Sequence, residues 1–157
     1  MYRRPANAQF LCAPLVSSAQ TKGNHVERRN ISSGSRFEEE GAYSRVVMAG
    51  SWVFLSGCSG FDYATGNISD DVIRQTEKTF ENIGSALSAA EISMKDVVRL
   101  NIIMKNSSDY KLITPVLRRH LDAVRPATTT WQGELMDPRM KVEIEVTAIR
   151  SAGLRDY

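Results

Sequence analysis

Cysteine and histidine are scarce in this chain: Cys12 and Cys58, and two histidines, in 157 residues. That is too few for a disulfide framework, and no cluster of His, Cys and carboxylates stands at ligand spacing, so neither a disulfide scaffold nor a metal centre is expected. A reducing, cytoplasmic setting follows as the expectation. No apolar run approaches the roughly 20 residues of a bilayer span. A glycine-rich phosphate cradle is also missing, so no nucleotide cofactor is expected. A large excess of charge is absent too, for the net charge is only +2. Residues 1–36 hold six Lys or Arg and one acid, whereas residues 37–157 hold 14 basic and 17 acidic groups. The main body is thus slightly acidic, which argues against a nucleic-acid footprint.

The length, with 42% hydrophobic residues, suits one domain able to bury its own core. Residues 1–36 read as a flexible extension, 37–152 as the domain and 153–157 as a tail. The extension has the arginines and serines of an organellar transit segment, but its apolar run from Phe10 to Val16 is broken by Pro14 and is weak for a secretory core. The blander reading is a disordered tail, or an upstream extension with the working protein beginning near Val26 or Glu27.

From Ala42 the pattern has period two, and "AYSRVVMAGSWVFLSG" reads as two strands turning at Gly50-Ser51. The segment "FDYATGNISDD" is a loop, with Ser69 to Asp71 offering a cap to a helix along "VIRQTEKTFENIGSALSAA". Ile73, Thr76, Phe80, Ile83, Leu87 and Ala90 form its stripe. "VVRLNIIM" is expected to be a central strand covered on both faces. A second helix follows, capped by Ser108 or Asp109, with Tyr110, Ile113, Leu117 and Leu121 inward and a kink or restart at Thr114-Pro115. Residues 128–132 and 142–149 give the last strands. The order implies an α+β layer with both helices on one sheet face. The other face then carries aromatic and aliphatic groups that are seldom left in water, so a closed homo-oligomer is expected.

Five segments in order, "AYSRVVMAGSWVFLSG", "TGNISDDVIRQTEKTFENIGSALSAA", "DVVRLNIIMKNSSDY", "RPATTTW" and "KVEIEVTAI", resemble the RidA/YjgF family of imine and enamine deaminases over about residues 30–150. The resemblance implies a chorismate-mutase-like fold and a homotrimer with pockets at the subunit interfaces. Members that hydrolyse 2-aminoacrylate hold its carboxylate with an arginine in a "PAR-S/T" stretch; here Pro126, Ala127 and Thr128 match, and the arginine is absent. Tyr43 matches the pocket tyrosine, Ser56-Gly57 the "SG" turn, and Glu143 the glutamate that positions the hydrolytic water. Cys58 stands where glutamine is usual, and Thr114 where an asparagine is often found. The departures resemble a divergent branch of the family.

Imine hydrolysis requires holding the substrate, placing a water and moving a proton. Exchanging a bidentate guanidinium for the Thr128 hydroxyl forfeits about 1.5–3 kcal/mol of carboxylate binding. Either Arg139 in the "MDPRM" loop supplies that charge to a neighbouring pocket, or the ligand is neutral or differently charged and meets Thr128 and Thr129. Threonines are also simply good strand residues, and Glu143 with Glu145 also fits a solvated strand face. A lone cysteine is more often a small buried apolar residue than a nucleophile, and that is the first reading for Cys58. Two functions stay open: a hydrolase deaminating a reactive imine or enamine with an altered substrate range, and a non-catalytic trimer that binds a metabolite or protects other proteins.

Overall fold

The computed structural model describes residues 26–150. The targeting question for the first residues, Cys12, His25 and the tail at 153–157 lie outside them. Six strands form one mixed sheet in the order β1-β2-β3-β6-β4-β5. The strands are β1 (Arg28–Ile31), β2 (Val46–Ala49), β3 (Trp52–Ser59), β4 (Val97–Met104), β5 (Ala127–Gln132) and β6 (Val142–Ile149). The helices are α1 (Arg36–Glu40), α2 (Val72–Ala89) and α3 (Tyr110–Leu121). All pairings are antiparallel except β4 with β5.

The hairpin turns where expected, Gly50 taking φ +60° between β2 and β3. Asp71 caps α2, its carboxylate accepting from the amides of Ile73 (2.7 Å) and Arg74 (3.0 Å). Alternate residues of the central strands, among them Val53, Leu55, Leu100, Ile102, Ile144 and Val146, bury one sheet face against Phe80, Ile83, Leu87, Ile113, Val116 and Leu117 of α2 and α3. This is the α+β layer read from the sequence, with the chorismate-mutase-like arrangement.

Four details depart from expectation. Residues 28–31, assigned to the extension, pair with β2 as an edge strand, and 36–40 form a short helix capped by Ser35. The fold therefore starts well before residue 37, in a stretch whose polar side chains hid its backbone pairing. Helix α3 is a single element with Pro115 inside it, and no restart occurs. The amide that proline lacks would have bonded the carbonyl of Lys111, and both residues lie on the exposed side of the helix, where that carbonyl is open to solvent. Tyr110 and Ile73, expected inward, are exposed. Finally, β4 is central but covered on one face only: Val98, Arg99, Asn101 and Ile103 are not buried within one chain.

Candidate active site

The loops after β3 and before β6 meet α1 above the open sheet face, and together they enclose a cavity of about 610 Å³. Ser56 and Gly57 of β3 and Glu143 of β6 form its floor, beside a register shift between Leu55 and Cys58 in the β3–β6 ladder. Such a bulge turns side chains out of the regular alternation at a strand end. Phe37, Tyr43, Phe61 and Tyr63 give it aromatic walls, and Asp137 and Met140 close one side.

Each wall is tied down. Asn82 on α2 donates to the carbonyls of Ser59 and Phe61, both at 2.9 Å, and Tyr63 Oη accepts from the Ser59 amide at 3.2 Å. Gln75 is fully buried and holds the loop before β6: its Nε2 donates to Arg139 O (2.8 Å) and its Oε1 accepts from the Lys141 amide (2.8 Å). A buried amide is stable in the core only when satisfied in this way.

Glu143 rests directly on Gly57. A Cβ built on Gly57 would fall 1.9 Å from Glu143 Oε1, so only glycine leaves the carboxylate its place. Burial, reinforced by the charge of Glu145 and opposed by Arg45, pushes the Glu143 carboxyl above its ordinary value. A half-buried carboxyl of this kind is suited to accept a proton from water or return one.

The other expected site residues fall in different places. Tyr43, Ser56 and Gly57 line the cavity with Glu143. Cys58 does not: it is fully buried in the core, its Sγ is 3.7 Å from Arg45 Nη1, and burial pushes its thiol up, which favours the protonated form. Arg139 turns back onto its own loop. Its Nε and Nη2 donate to the two Asp137 oxygens at 3.0 and 2.8 Å, and its guanidinium stacks 5.1 Å above Phe61. These hydrogen bonds hold the Asp137 carboxyl down to about 2. Thr128 and Thr129 lie on β5, at the edge of the sheet and two strands from β6. Thr128 pairs with Leu100 and donates to its neighbour Pro126 O at 3.0 Å, while Thr129 pairs with Asn101.

Sequence reasoning missed Arg45 and Glu38, the most buried charged pair near the site at 3% and 4% exposure. The only signal was a charged residue beside Tyr43, and strand parity made it look solvated. Among the described residues no group of three His, Cys, Asp or Glu could hold a metal.

Comparison with known proteins follows this geometry. The model of the family described as endoribonuclease L-PSP matches residues 33–150. The crystal structure of Rv2704 from Mycobacterium tuberculosis, a member of the YjgF/YER057c/UK114 family, is 32% identical and superposes with a TM-score of 0.71 over 78% of this chain and 99% of that one. The chain belongs to the RidA/YjgF family. Among RidA/YjgF relatives, Reactive Intermediate Deaminase A, chloroplastic, of Arabidopsis thaliana is 29% identical over 87% of this chain and 73% of its own length. The 2-iminobutanoate/2-iminopropanoate deaminase of Dermatophagoides farinae is 30% identical over 75% of this chain and 93% of its own. Tyr43, Ser56, Gly57 and Glu143, the residues singled out by the resemblance in sequence, line one cavity.

Proposed function

We propose that this protein is a trimeric hydrolase that deaminates a reactive imine or enamine at pockets between subunits, with a substrate range shifted by Thr128. The Glu143 carboxyl carries the reading: it stands at the floor of an aromatic-walled cavity, lifted in pKa, against a glycine that makes room for it. In this role Glu143 accepts a hydrogen bond from the attacking water and takes its proton as the C–O bond to the imine carbon forms. That proton passes to the imine nitrogen to give a carbinolamine, and Glu143 then carries the remaining hydroxyl proton to the amine as the C–N bond breaks, so that ammonia leaves and the carbonyl remains. Tyr43 and Gly57 confine the substrate beside it.

Two observations support the trimer. Trp52, Phe54 and Trp131 are 46%, 44% and 52% exposed on the sheet, and Trp52 stacks on Phe54 with centroids 6.2 Å apart. Rings of this size on one open face favour burial against another copy. Strand spacing of about 4.8 Å also separates β5 from β6 by roughly 10 Å, so in this reading β5 contributes to the pocket of a neighbouring copy rather than its own. The names of the Arabidopsis and Dermatophagoides relatives supply the reaction class. The cytoplasmic placement belongs to the same reading; import through the amino-terminal residues is its alternative, in view of the chloroplastic relative, and mass spectrometry of the native amino terminus decides it.

The test is release of ammonia from 2-aminoacrylate and 2-aminomuconate generated in place. Acceleration of either above the uncatalysed rate supports the hydrolase. No turnover with either, together with a metabolite that raises the melting temperature, selects the binding module instead.

A further inference from the structure

Arg45 immediately precedes β2 and is withdrawn from solvent, yet its guanidinium reaches two residues of the candidate site. Nη1 donates to Gly57 O at 2.7 Å and Nη2 to Tyr43 Oη at 3.4 Å. The planar cation also faces the rings of Tyr63 (4.7 Å) and Tyr43 (5.6 Å). On the far side, Nε has no hydrogen-bond partner but lies 3.6 Å from Glu38 Oε1. Glu38 is fixed in turn by Ser33, whose amide donates to both carboxylate oxygens at 3.1 Å and whose hydroxyl donates to Oε1. A relay of contacts thus runs from Ser33 through Glu38 and Arg45 to Gly57 and Tyr43. The Gly57 peptide is also the surface on which Glu143 rests.

We propose that Arg45 is the positioning residue of this pocket: anchored by Glu38, it clamps the Gly57 carbonyl and the Tyr43 hydroxyl and so fixes the wall that holds the Glu143 carboxylate. The proposal rests on the reading of Glu143 as the group that handles the water, and it explains why the buried cation is an arginine. A fork can hold two acceptors at set angles while stacking on a ring, and an ammonium cannot. Arg45 also sets the charge around Glu143. Glu145 on the same strand and Cys58 on β3 face that carboxylate, and Glu40, Tyr43, Tyr63 and Asp137 line the same cavity. Asp137 is neutralised by Arg139, which leaves Arg45 as the cation opposing the rise in Glu143.

The test uses the full chain carrying glutamate labelled with 13C at the side-chain carboxyl, with the Glu143 resonance assigned by its absence in Glu143→Gln. Its titration is followed in wild type, Arg45→Lys, Arg45→Met and the double variant Glu38→Gln/Arg45→Met, which leaves no unpaired buried charge should the single Met variant fail to fold. The Met variants are expected to move the Glu143 midpoint upward. Arg45→Lys is expected to keep the midpoint near wild type yet lose on the order of a hundredfold in kcat on an accepted imine, because a displacement of roughly 1 Å at the reacting group has that effect. An unmoved midpoint in the Met variants, or full kcat in Arg45→Lys, overturns the proposal. Absence of turnover in wild type overturns the hydrolase reading alone, since the titration still decides whether Arg45 governs Glu143.

Discussion

Replacing Gly57 by alanine separates the site from the fold. The backbone at Gly57 is not in the left-handed region, so alanine meets no conformational penalty there. What it meets is Glu143, with Oε1 at 1.9 Å, Cδ at 2.7 Å and Cγ at 3.0 Å from the new Cβ. Ordinary contact begins at 3.4 Å, so the carboxylate must retreat by about 1.5 Å. The group that gives way is the end of a flexible side chain bordering the cavity, which keeps the stability loss below the usual 1–3 kcal/mol of an overpacked core, about 1 kcal/mol or less. A shift of that size at a group that aligns water lowers kcat by roughly a hundredfold or more, about 3 kcal/mol of transition-state stabilisation. Urea unfolding and steady-state ammonia release on the same preparation check the pair of numbers. The reasoning is refuted if Gly57→Ala retains wild-type kcat, or if it loses activity only in proportion to a large loss of stability.

Thr128→Arg restores the fork at the position that lacks it, and is expected to raise kcat/KM for a carboxylated imine by ten- to a hundredfold, about 1.5–3 kcal/mol, in a paired comparison with wild type. Trp52→Glu puts a charge on the open sheet face; burying it unpaired costs about 3–5 kcal/mol, so sedimentation velocity is expected to show monomers where wild type shows trimers. For Glu38, burial acts to raise the carboxyl, but hydrogen bonds from Ser33 and Ser32 and the charge on Arg45 outweigh it and hold the group below 4.5. Its contribution to stability is therefore complete above pH 4.5 and is lost as pH falls through the lower folded value, so Glu38→Gln flattens the acid limb of a urea-midpoint profile against pH. Glu143 has the opposite sign. Its raised carboxyl costs stability as pH rises through the folded value, so Glu143→Gln is expected to raise the urea midpoint at neutral pH.

The layer architecture was legible because it rests on periodicity. Val53, Leu55, Leu100, Ile102, Ile144 and Val146 alternate, α2 carries its stripe with Asp71 at its start, and both patterns appear in the structure apart from the exposed Ile73. Strand β1 was not legible, since Arg28 to Asn30 are polar and exposed and the strand is held by backbone pairing to β2. Nor was the continuity of α3 through Pro115, which depends on the lost hydrogen bond facing water. At the site, Tyr43 comes from the stretch before β2, Ser56 and Gly57 from β3 and Glu143 from β6, and no local pattern joins them; the ordered set of family motifs did. Arg45 and Glu38 escaped because their partners are a backbone carbonyl, a phenol and a serine amide, none of which has a sequence spacing. Arg139 was visible as a charge near the pocket, but its bidentate pairing with Asp137 two residues away is set by the loop's conformation.

The central claim is that Glu143 handles the hydrolytic water, and ammonia release from a freshly generated imine by wild type and Glu143→Gln at equal concentration tests it most directly. The account predicts acceleration above the uncatalysed rate by wild type and its loss in Glu143→Gln, with the variant folded and at least as stable. Equal acceleration by the two proteins would contradict it.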